Sequence, residues 1–389
     1  MAWLIVEQRK GCRKAPQMWG DEGVTKLLYK QDSNVSWGPI NSPVTQQLIK
    51  SGILRNLRLI SNTGTMAFAG ATTASLQGPF NSLQNIAVLA NAQQTVYFNS
   101  GYMGNQIDNL IRGLEFDDAP ATQSLPPPPN VTDQTFVFNG RQTTVGNNTS
   151  WLWSIKLPLA QIVRSLGGEI GLIPMSTENA QLTISYTPTA VSVAAGTYTI
   201  NSANDDLSQP YFGANAVTIP SPAIDIFKQL YEPVINEADF PDFSFINQWI
   251  EERPQTFGTN GFTWKQNQDA GVVLRFLFAF FVSTNPWGIG TAQLNRNDAL
   301  VLSYNTDIVK FRESGQEALN RQREQLGFDL DLGVFFYDLL GKDLTLADVL
   351  NSYIVPAIQL QLNTSSAVTV NTTVPPKVCV QRLIPIRVQ

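Results

Sequence analysis

The sequence predicts an all-β chain of two similar units, each a sandwich or barrel of short strands with a helix set among its loops. Three observations predict it. Short apolar runs with period-two alternation recur along the chain, separated by turn residues. A run of strands leading into a capped helix and then more strands occurs once around Ser100-Gly101-Tyr102-Met103 and again around Ser314-Gly315-Gln316-Glu317. Finally, charged residues make up only 15% of the chain, well below the usual quarter, while apolar residues stand at an ordinary 43%.

In order, residues 1–45 read as an extended N-terminal arm, interrupted at Trp37-Gly38-Pro39 and Ser42-Pro43. Trp3, Trp19 and Trp37 argue that it lies on a surface, because disordered tails rarely keep large aromatics. Within residues 1–30, six cations (Arg9, Lys10, Arg13, Lys14, Lys26, Lys30) face three anions (Glu7, Asp21, Glu22), a net +3 against −5 for the whole chain. Residues 53–59 form a strand, although Leu54, Leu57 and Leu59 do not share one parity, which calls for a bulge or a two-sided strand. Residues 85–89 and 95–98 make a hairpin.

The period then changes. Met103, Ile107, Leu110, Ile111 and Leu114 mark one face of a helix, with Ser100 as N-cap and Gly113 near the stop. A loop with four prolines, Pro126 to Pro129, follows. Strands resume at 135–138 and 151–157, a short helix is expected over 159–166, and 169–174 and 181–186 close the unit. Residues 190–222 are either a long surface loop or additional edge strands, and 224–234 is one more apolar segment.

The boundary between units falls around Ile246, giving an arm over 1–45, a first unit over 46–245 and a second over 246–389. The second unit opens with the apolar strand at 271–282, too short to span a bilayer and interrupted by Arg275. Strands at 299–304 and 307–311 lead to a helix whose Ser314 and Glu317 form a capping box, running through Leu319, Arg321, Arg323 and Leu326 to Gly327 with most of its charged surface outward. Strands at 333–340, 354–362 and 378–388 complete it. Many short strands with turn signals between them indicate a sandwich or barrel in each half; eight strands in two packed sheets form a jelly roll, and two eight-stranded jelly rolls in tandem, a double jelly roll, is the fold that the resemblance given below implies.

Little chemistry is on offer. The absence of histidine removes Ser-His-Asp and Cys-His mechanisms, His-ligated zinc and the usual proton shuttle at neutral pH. Carboxylates are paired at Asp117-Asp118, Asp205-Asp206, Glu251-Glu252 and Asp329-Leu330-Asp331, a pattern that glycosidases use but that solvated loops show far more often. Asp329-x-Asp331 with Gly333 lacks the third ligand and closing Glu of a calcium loop. Cys12 and Cys379 carry neither a disulfide framework nor metal spacing, though one bridge is open to them. No phosphate-binding glycine loop occurs, and the sequons at Asn34, Asn130, Asn148, Asn363 and Asn371 follow from the abundance of Asn and Thr. No secretory signal is expected, because the basic residues come after the apolar Ala2–Val6 stretch and not before it. Catalytic, cofactor-binding and metal-binding residues are therefore all expected to be none, and the chain is expected not to be an enzyme.

The strand at 51–59, the hairpin and helix over 85–114, the segments 151–158, 173–174 and 181–186, and in the second half 273–282 and 380–385, together resemble the double jelly-roll major capsid proteins of tailless, membrane-containing (tectivirus-like) bacteriophages, related in fold to adenovirus hexon. The resemblance covers most of residues 46–389. It implies a homotrimer that looks six-sided because each chain brings two barrels, and a capsomer that tiles an icosahedral virion shell. It further implies contacts with neighbouring capsomers, vertex (penton) and minor capsid proteins, an arm facing an internal membrane or genome, no sequence-specific nucleic-acid binding, and synthesis in the host cytoplasm. Two other readings stand beside it: a spike or carbohydrate-binding β-sandwich, with Trp287-Gly288 and Tyr211-Phe212 as candidate contacts, and a carboxylate glycosidase.

Overall fold

A computed structural model describes residues 26–68, 80–115, 134–136, 149–200, 217–232, 243–266, 271–280, 299–363 and 376–385, apart from short breaks. Sixteen strands carry the architecture. The first eight are β1 (Lys26–Ser36), β2 (Val44–Gln47), β3 (Ile53–Phe68), β4 (Leu83–Ala90), β5 (Gln94–Asn99), β6 (Thr149–Pro158), β7 (Leu182–Pro188) and β8 (Ala223–Glu232). The second eight are β9 (Phe245–Glu252), β10 (Gly261–Lys265), β11 (Val272–Ala279), β12 (Ala299–Tyr304), β13 (Ile308–Ser314), β14 (Val334–Asp338), β15 (Ile358–Asn363) and β16 (Lys377–Pro385). Helix α1 (Gly101–Glu115) lies between β5 and β6, and α2 (Gly315–Leu326) between β13 and β14.

The strand orders repeat. In the first half one sheet runs β1-β8-β3-β6 and its partner β2-β7-β4-β5; in the second half the orders are β9-β16-β11-β14 and β10-β15-β12-β13. Adding eight to each strand number of the first half gives the second. Each half is thus a four-plus-four jelly roll with a helix between its fifth and sixth strands. The two middle sheets are one: β5 and β9 pair in parallel, Trp249 beside Tyr97 and Ile250 beside Phe98, joining these eight strands in one continuous sheet to which Leu350–Asn351 adds a short ninth strand beside β11.

The repetition reaches single residues. On β5, Val96 is an unmatched bulge residue, since Val88 faces Tyr97 and Leu89 faces Thr95. On β13, Lys310 is the unmatched residue, since Leu302 faces Phe311 and Ser303 faces Val309. Each bulge stands four positions before its serine cap. On β3 the pairing skips Arg55, between Leu54–Leu230 and Asn56–Gln229; on β11 it skips Leu274, between Val273–Arg382 and Arg275–Gln381. The bulge at Arg55 also resolves the parity of its strand. One extra residue brings Leu54 back to the face of Leu57 and Leu59, and all three are fully buried.

The core follows from this stacking. Sheet β9-β16-β11-β14 is covered on both sides, so β11 (VVLRFLFA) and β14 (VFFYD) read as near-continuous apolar runs and not as alternations. Leu277, Ala279, Phe336, Cys379 and Trp249 pack into the first-half core with Leu57, Leu59, Ile155 and Ile184. Their neighbours Phe276, Phe278, Phe335, Tyr337, Val378 and Val380 pack into the second-half core with Trp264, Leu300, Leu302 and Leu360. Outer strands keep the alternation of a one-sided sheet: Leu182, Ile184 and Tyr186 are buried along β7, and Ile224, Ile226, Lys228 and Leu230 along β8.

The helices differ in burial. Residues 101–111 of α1 are buried all round, polar positions included, with Asp108 accepting the Lys156 amide at 3.2 Å. On α2 only Gly315, Ala318, Gln322 and Leu326 are buried, which fits its charged sequence, and Gly327 caps it in the left-handed region at φ 75°, its amide donating to the Arg323 carbonyl at 2.9 Å.

Two expectations change, one open alternative is decided, and two short strands are added. Lys26–Ser36, read as arm, is the edge strand β1, held by the buried pair Lys228–Asp32 (2.7 Å); the Lys228 ammonium also donates to the Ile49 carbonyl at 2.7 Å. Asp32 sits at a bulge that turns a polar residue inward, which is why the segment does not read as a strand. Lys26 and Lys30 therefore belong to a sheet, and residues 1–25 keep four cations against three anions, a net +1. The expected helix over 159–166 is mostly a hairpin, Gln161–Val163 pairing with Gly168–Ile170, and only Arg164–Leu166 turns as a 3-10 helix. Residues 191–192, 197–200 and 217–220 are strands that extend the far end of β3, so that region is edge strand where it is described. The short strands Thr256–Gly258 and β10 were not foreseen.

Candidate functional site

The best-built polar site lies along the seam where the halves meet. β9 contributes the adjacent acids Glu251 and Glu252. Successive strand residues face opposite sides of a sheet, so the two carboxylates part company. Glu251 points to the first half: its Oε2 accepts the Ser100 amide at 2.8 Å and the Ser100 hydroxyl at 2.7 Å, and its Oε1 meets the Lys377 ammonium of β16 at 3.0 Å. Lys377 also donates to the Ser100 hydroxyl at 2.8 Å, and that hydroxyl accepts the Met103 amide at 3.4 Å as N-cap of α1. Glu252 points to the second half, where Arg382 (2.6 Å) and the Trp264 indole (2.8 Å) donate to it.

Burial pushes the Glu251 carboxyl up, but the Lys377 charge and the hydrogen bonds from Ser100 and Lys377 outweigh it, leaving the group below the usual carboxylate value. Beside it, Cys379 is a free, buried thiol donating to Asn99 Oδ1 at 2.9 Å. Burial pushes this thiol well up, the charges of Glu251 and Glu252 add to that, and Arg382 opposes it. Asn99 in turn donates to the Trp249 carbonyl at 3.1 Å, and Gln248 to the Thr95 carbonyl at 2.7 Å, so side chains extend the short β5–β9 ladder.

A second network lies deeper in the same seam. Arg275, fully buried in the apolar strand β11, donates to Asp338 (3.0 Å), Gln161 (2.7 Å) and Gln381 (3.1 Å). Gln381 donates to Gln161 at 2.8 Å and to Asn247 at 2.9 Å, and Asn247 reaches the Pro158 carbonyl at 3.5 Å. Gln161 and Pro158 belong to the first half and the others to the second. The arrangement locks two sandwiches at one spacing; both oxygens of Glu251 are committed to that, and the Ser100 hydroxyl is a cap and not a placed nucleophile.

Of the acid pairs singled out by sequence, Glu251-Glu252 is brought together with Ser100, but as two ion pairs on opposite faces and not as two carboxylates on one substrate. Asp117-Asp118, Asp205-Asp206, Asp329 and Asp331 lie outside the described residues, as do Trp287-Gly288, Tyr211-Phe212, Cys12, Trp3, Trp19, Trp37 and the proline run. Among the described residues no group of three or more Cys, Asp or Glu side chains is arranged to hold a metal ion, and no helix is long and apolar enough to cross a membrane. Sequence reading missed Arg275, Lys377, Arg382, Gln161 and Gln381. The first three left a signal, a cation within an otherwise apolar strand, where a partner is obligatory.

No protein-family model matches the sequence, and no curated protein does. Solved structures do. The atomic structure of Sulfolobus Turreted Icosahedral Virus superposes with a TM-score of 0.61 at 12% identity, over 92% of this chain and 90% of that one. The crystal structure of the STIV MCP gives 0.57 at 13% identity, over 92% and 95%. The quasi-atomic model of the PBCV-1 virus capsid gives 0.58 at 12% identity, over 92% and 93%. The chain is an all-β protein with the double jelly-roll fold, and its structural neighbours are major capsid proteins.

Proposed function

We propose that this protein is the major capsid (coat) protein of an icosahedral virion, forming homotrimeric capsomers that look six-sided and tile the shell. One observation carries the reading: two jelly rolls of the same strand order are welded edge to edge through β5 and β9, which makes one chain a rigid two-barrel block. The neighbours in fold, the low charge and the absence of histidine support it. A surface with few charges has few to desolvate at subunit contacts.

On this reading the chain divides near Phe245, with the first jelly roll beginning at Lys26 and the arm preceding it. Its partners are copies of itself, neighbouring capsomers, vertex and minor capsid proteins; its place is the virion shell after synthesis in host cytoplasm, and it has no enzymatic role. Contact of the arm with an internal membrane loses support once Lys26 and Lys30 are counted in β1. Nothing described favours the spike or carbohydrate-binding reading. Light scattering and electron microscopy of purified protein test the proposal: six-sided trimers are expected, and a stable monomer would sink it.

A further inference from the structure

The first and last strands of the first jelly roll meet at a buried lysine and a buried acid. Asp32 is the unmatched residue of the β1 bulge, between the pairs Gln31–Phe227 and Ser33–Ile226. The bulge turns it to the inner side of the sheet, where Ile226 and Lys228 of β8 also point. There the Lys228 ammonium stands 2.7 Å from Asp32 Oδ1, and the two side chains are 3% and 0% exposed.

A single backbone residue holds both partners. Asp32 Oδ1 accepts the Ile49 amide at 3.0 Å, and Lys228 Nζ donates to the Ile49 carbonyl at 2.7 Å. Nζ also donates to Ser51 Oγ at 3.2 Å. Asp32 Oδ2 is buried and has no hydrogen-bond partner among the described residues. An amide joining Nζ to Cγ would keep both Ile49 bonds. Its N–H would donate to the Ile49 carbonyl, and its oxygen, the former Oδ1, would accept the Ile49 amide. Oδ2 is the oxygen that such a product does without.

We infer that Lys228 and Asp32 condense into an isopeptide bond, a cross-link made by the fold itself. One proton passes from Nζ to the carboxylate, leaving an amine beside an acid. The nitrogen lone pair attacks Cγ and the Nζ–Cγ bond forms, while the Ile49 amide steadies the negative charge that gathers on Oδ1. The Cγ–Oδ2 bond then breaks. Oδ2 departs as water, carrying the first proton and a second one from Nζ. Nothing is oxidised or reduced, and no other reactant enters.

Three features of the site favour the step. The Ile49 clamp holds nucleophile and electrophile together, so a bimolecular reaction becomes an internal one. Two ions kept out of water carry a desolvation cost that an uncharged amide does not. Burial also excludes the water that would hydrolyse the product. The bond would tie the edge strand β1 to β8 and close the first jelly roll into a covalent ring. It goes beyond the capsid reading and does not depend on it.

The test is the mass of the native full chain. Protein with a cooperative melting curve is denatured, weighed and digested with trypsin. The chain is expected to be lighter than its sequence by one water. The digest is expected to hold a branched peptide in which Lys228 escapes cleavage and is joined to the segment bearing Asp32. Lys228→Arg keeps the charge but offers no amine, and is expected to return to the sequence mass. A folded native chain that keeps the sequence mass after prolonged incubation, with Asp32 and Lys228 in separate peptides, would overturn the inference. So would a lost water that maps to any other site. The deciding measurement is made on the native chain, so it stands even if Lys228→Arg does not fold.

Discussion

The carboxylate of Glu251 does for Ser100, 151 residues away in sequence, what Glu317 does for Ser314 three residues away. In α2 the Ser314 amide and hydroxyl reach Glu317 Oε2 at 2.8 and 2.9 Å; in α1 the Ser100 amide and hydroxyl reach Glu251 Oε2 at 2.8 and 2.7 Å. The first helix has Met103 where a capping box wants an acid, and the acid arrives from the neighbouring jelly roll.

The two caps should differ in energetic weight. Glu317→Ala removes an exposed cap partner and is expected to cost about 1 kcal/mol. Glu251→Ala also strands the buried Lys377 ammonium and is expected to cost roughly 3–5 kcal/mol. Urea unfolding midpoints of the two variants check this; equal losses would refute the assignment.

The same site predicts an acid limb. Glu251 titrates lower in the folded chain than in the unfolded one, so its contribution is complete above the ordinary carboxylate value of 4.5 and is lost as pH falls through the lower folded value. The stability gap between the native sequence and Glu251→Gln should stay constant from pH 7 to about 5 and narrow below 4.5. Denaturant titrations at stepped pH read it directly.

Arg275 and Asp338 should behave as a buried pair. Removing one partner, as in Arg275→Met, is expected to cost roughly 3–5 kcal/mol, and adding Asp338→Leu should recover most of it. A double-mutant cycle measures the coupling, and additive losses would contradict it.

Cys379 should be silent in the native state. Its burial and raised thiol pKa leave little thiolate to react. In a Cys12→Ser background a thiol-reactive dye should label nothing in buffer and one equivalent in guanidinium.

The helix start of the first half also tolerates little. A Cβ on Gly101 would lie 2.1 Å from the Phe80 carbonyl oxygen, a backbone atom that cannot swing away. Gly101→Ala is expected to lose about 3 kcal/mol or more, visible as a lower melting temperature.

Much of this fold was legible because its strands carry their own pattern. Leu182, Ile184 and Tyr186 alternate in sequence and are buried in the structure, and the S-x-x-E of α2 forms the capping box it spells. What failed to read were segments whose shape is set from afar. β1 hides because Asp32 turns inward to meet Lys228, and a buried acid mimics a surface one in sequence. Residues 161–163 fell within a short helix expected over 159–166, but Gln161 is fixed by Arg275 and Gln381, more than a hundred positions away. Glu251-Glu252 looked like a solvated or catalytic pair because nothing local announces Lys377 or Arg382.

Sheet β9-β16-β11-β14 has no face turned to water. Leu277, Phe336 and Trp249 are interior only while the first jelly roll stands beside them, and Ser100 is fully capped only while the second one does. Expressed by itself, the second half would show a greasy flat wall, and the first would start its helix without an acid. Each half completes the interior of the other, so neither is a finished unit by itself.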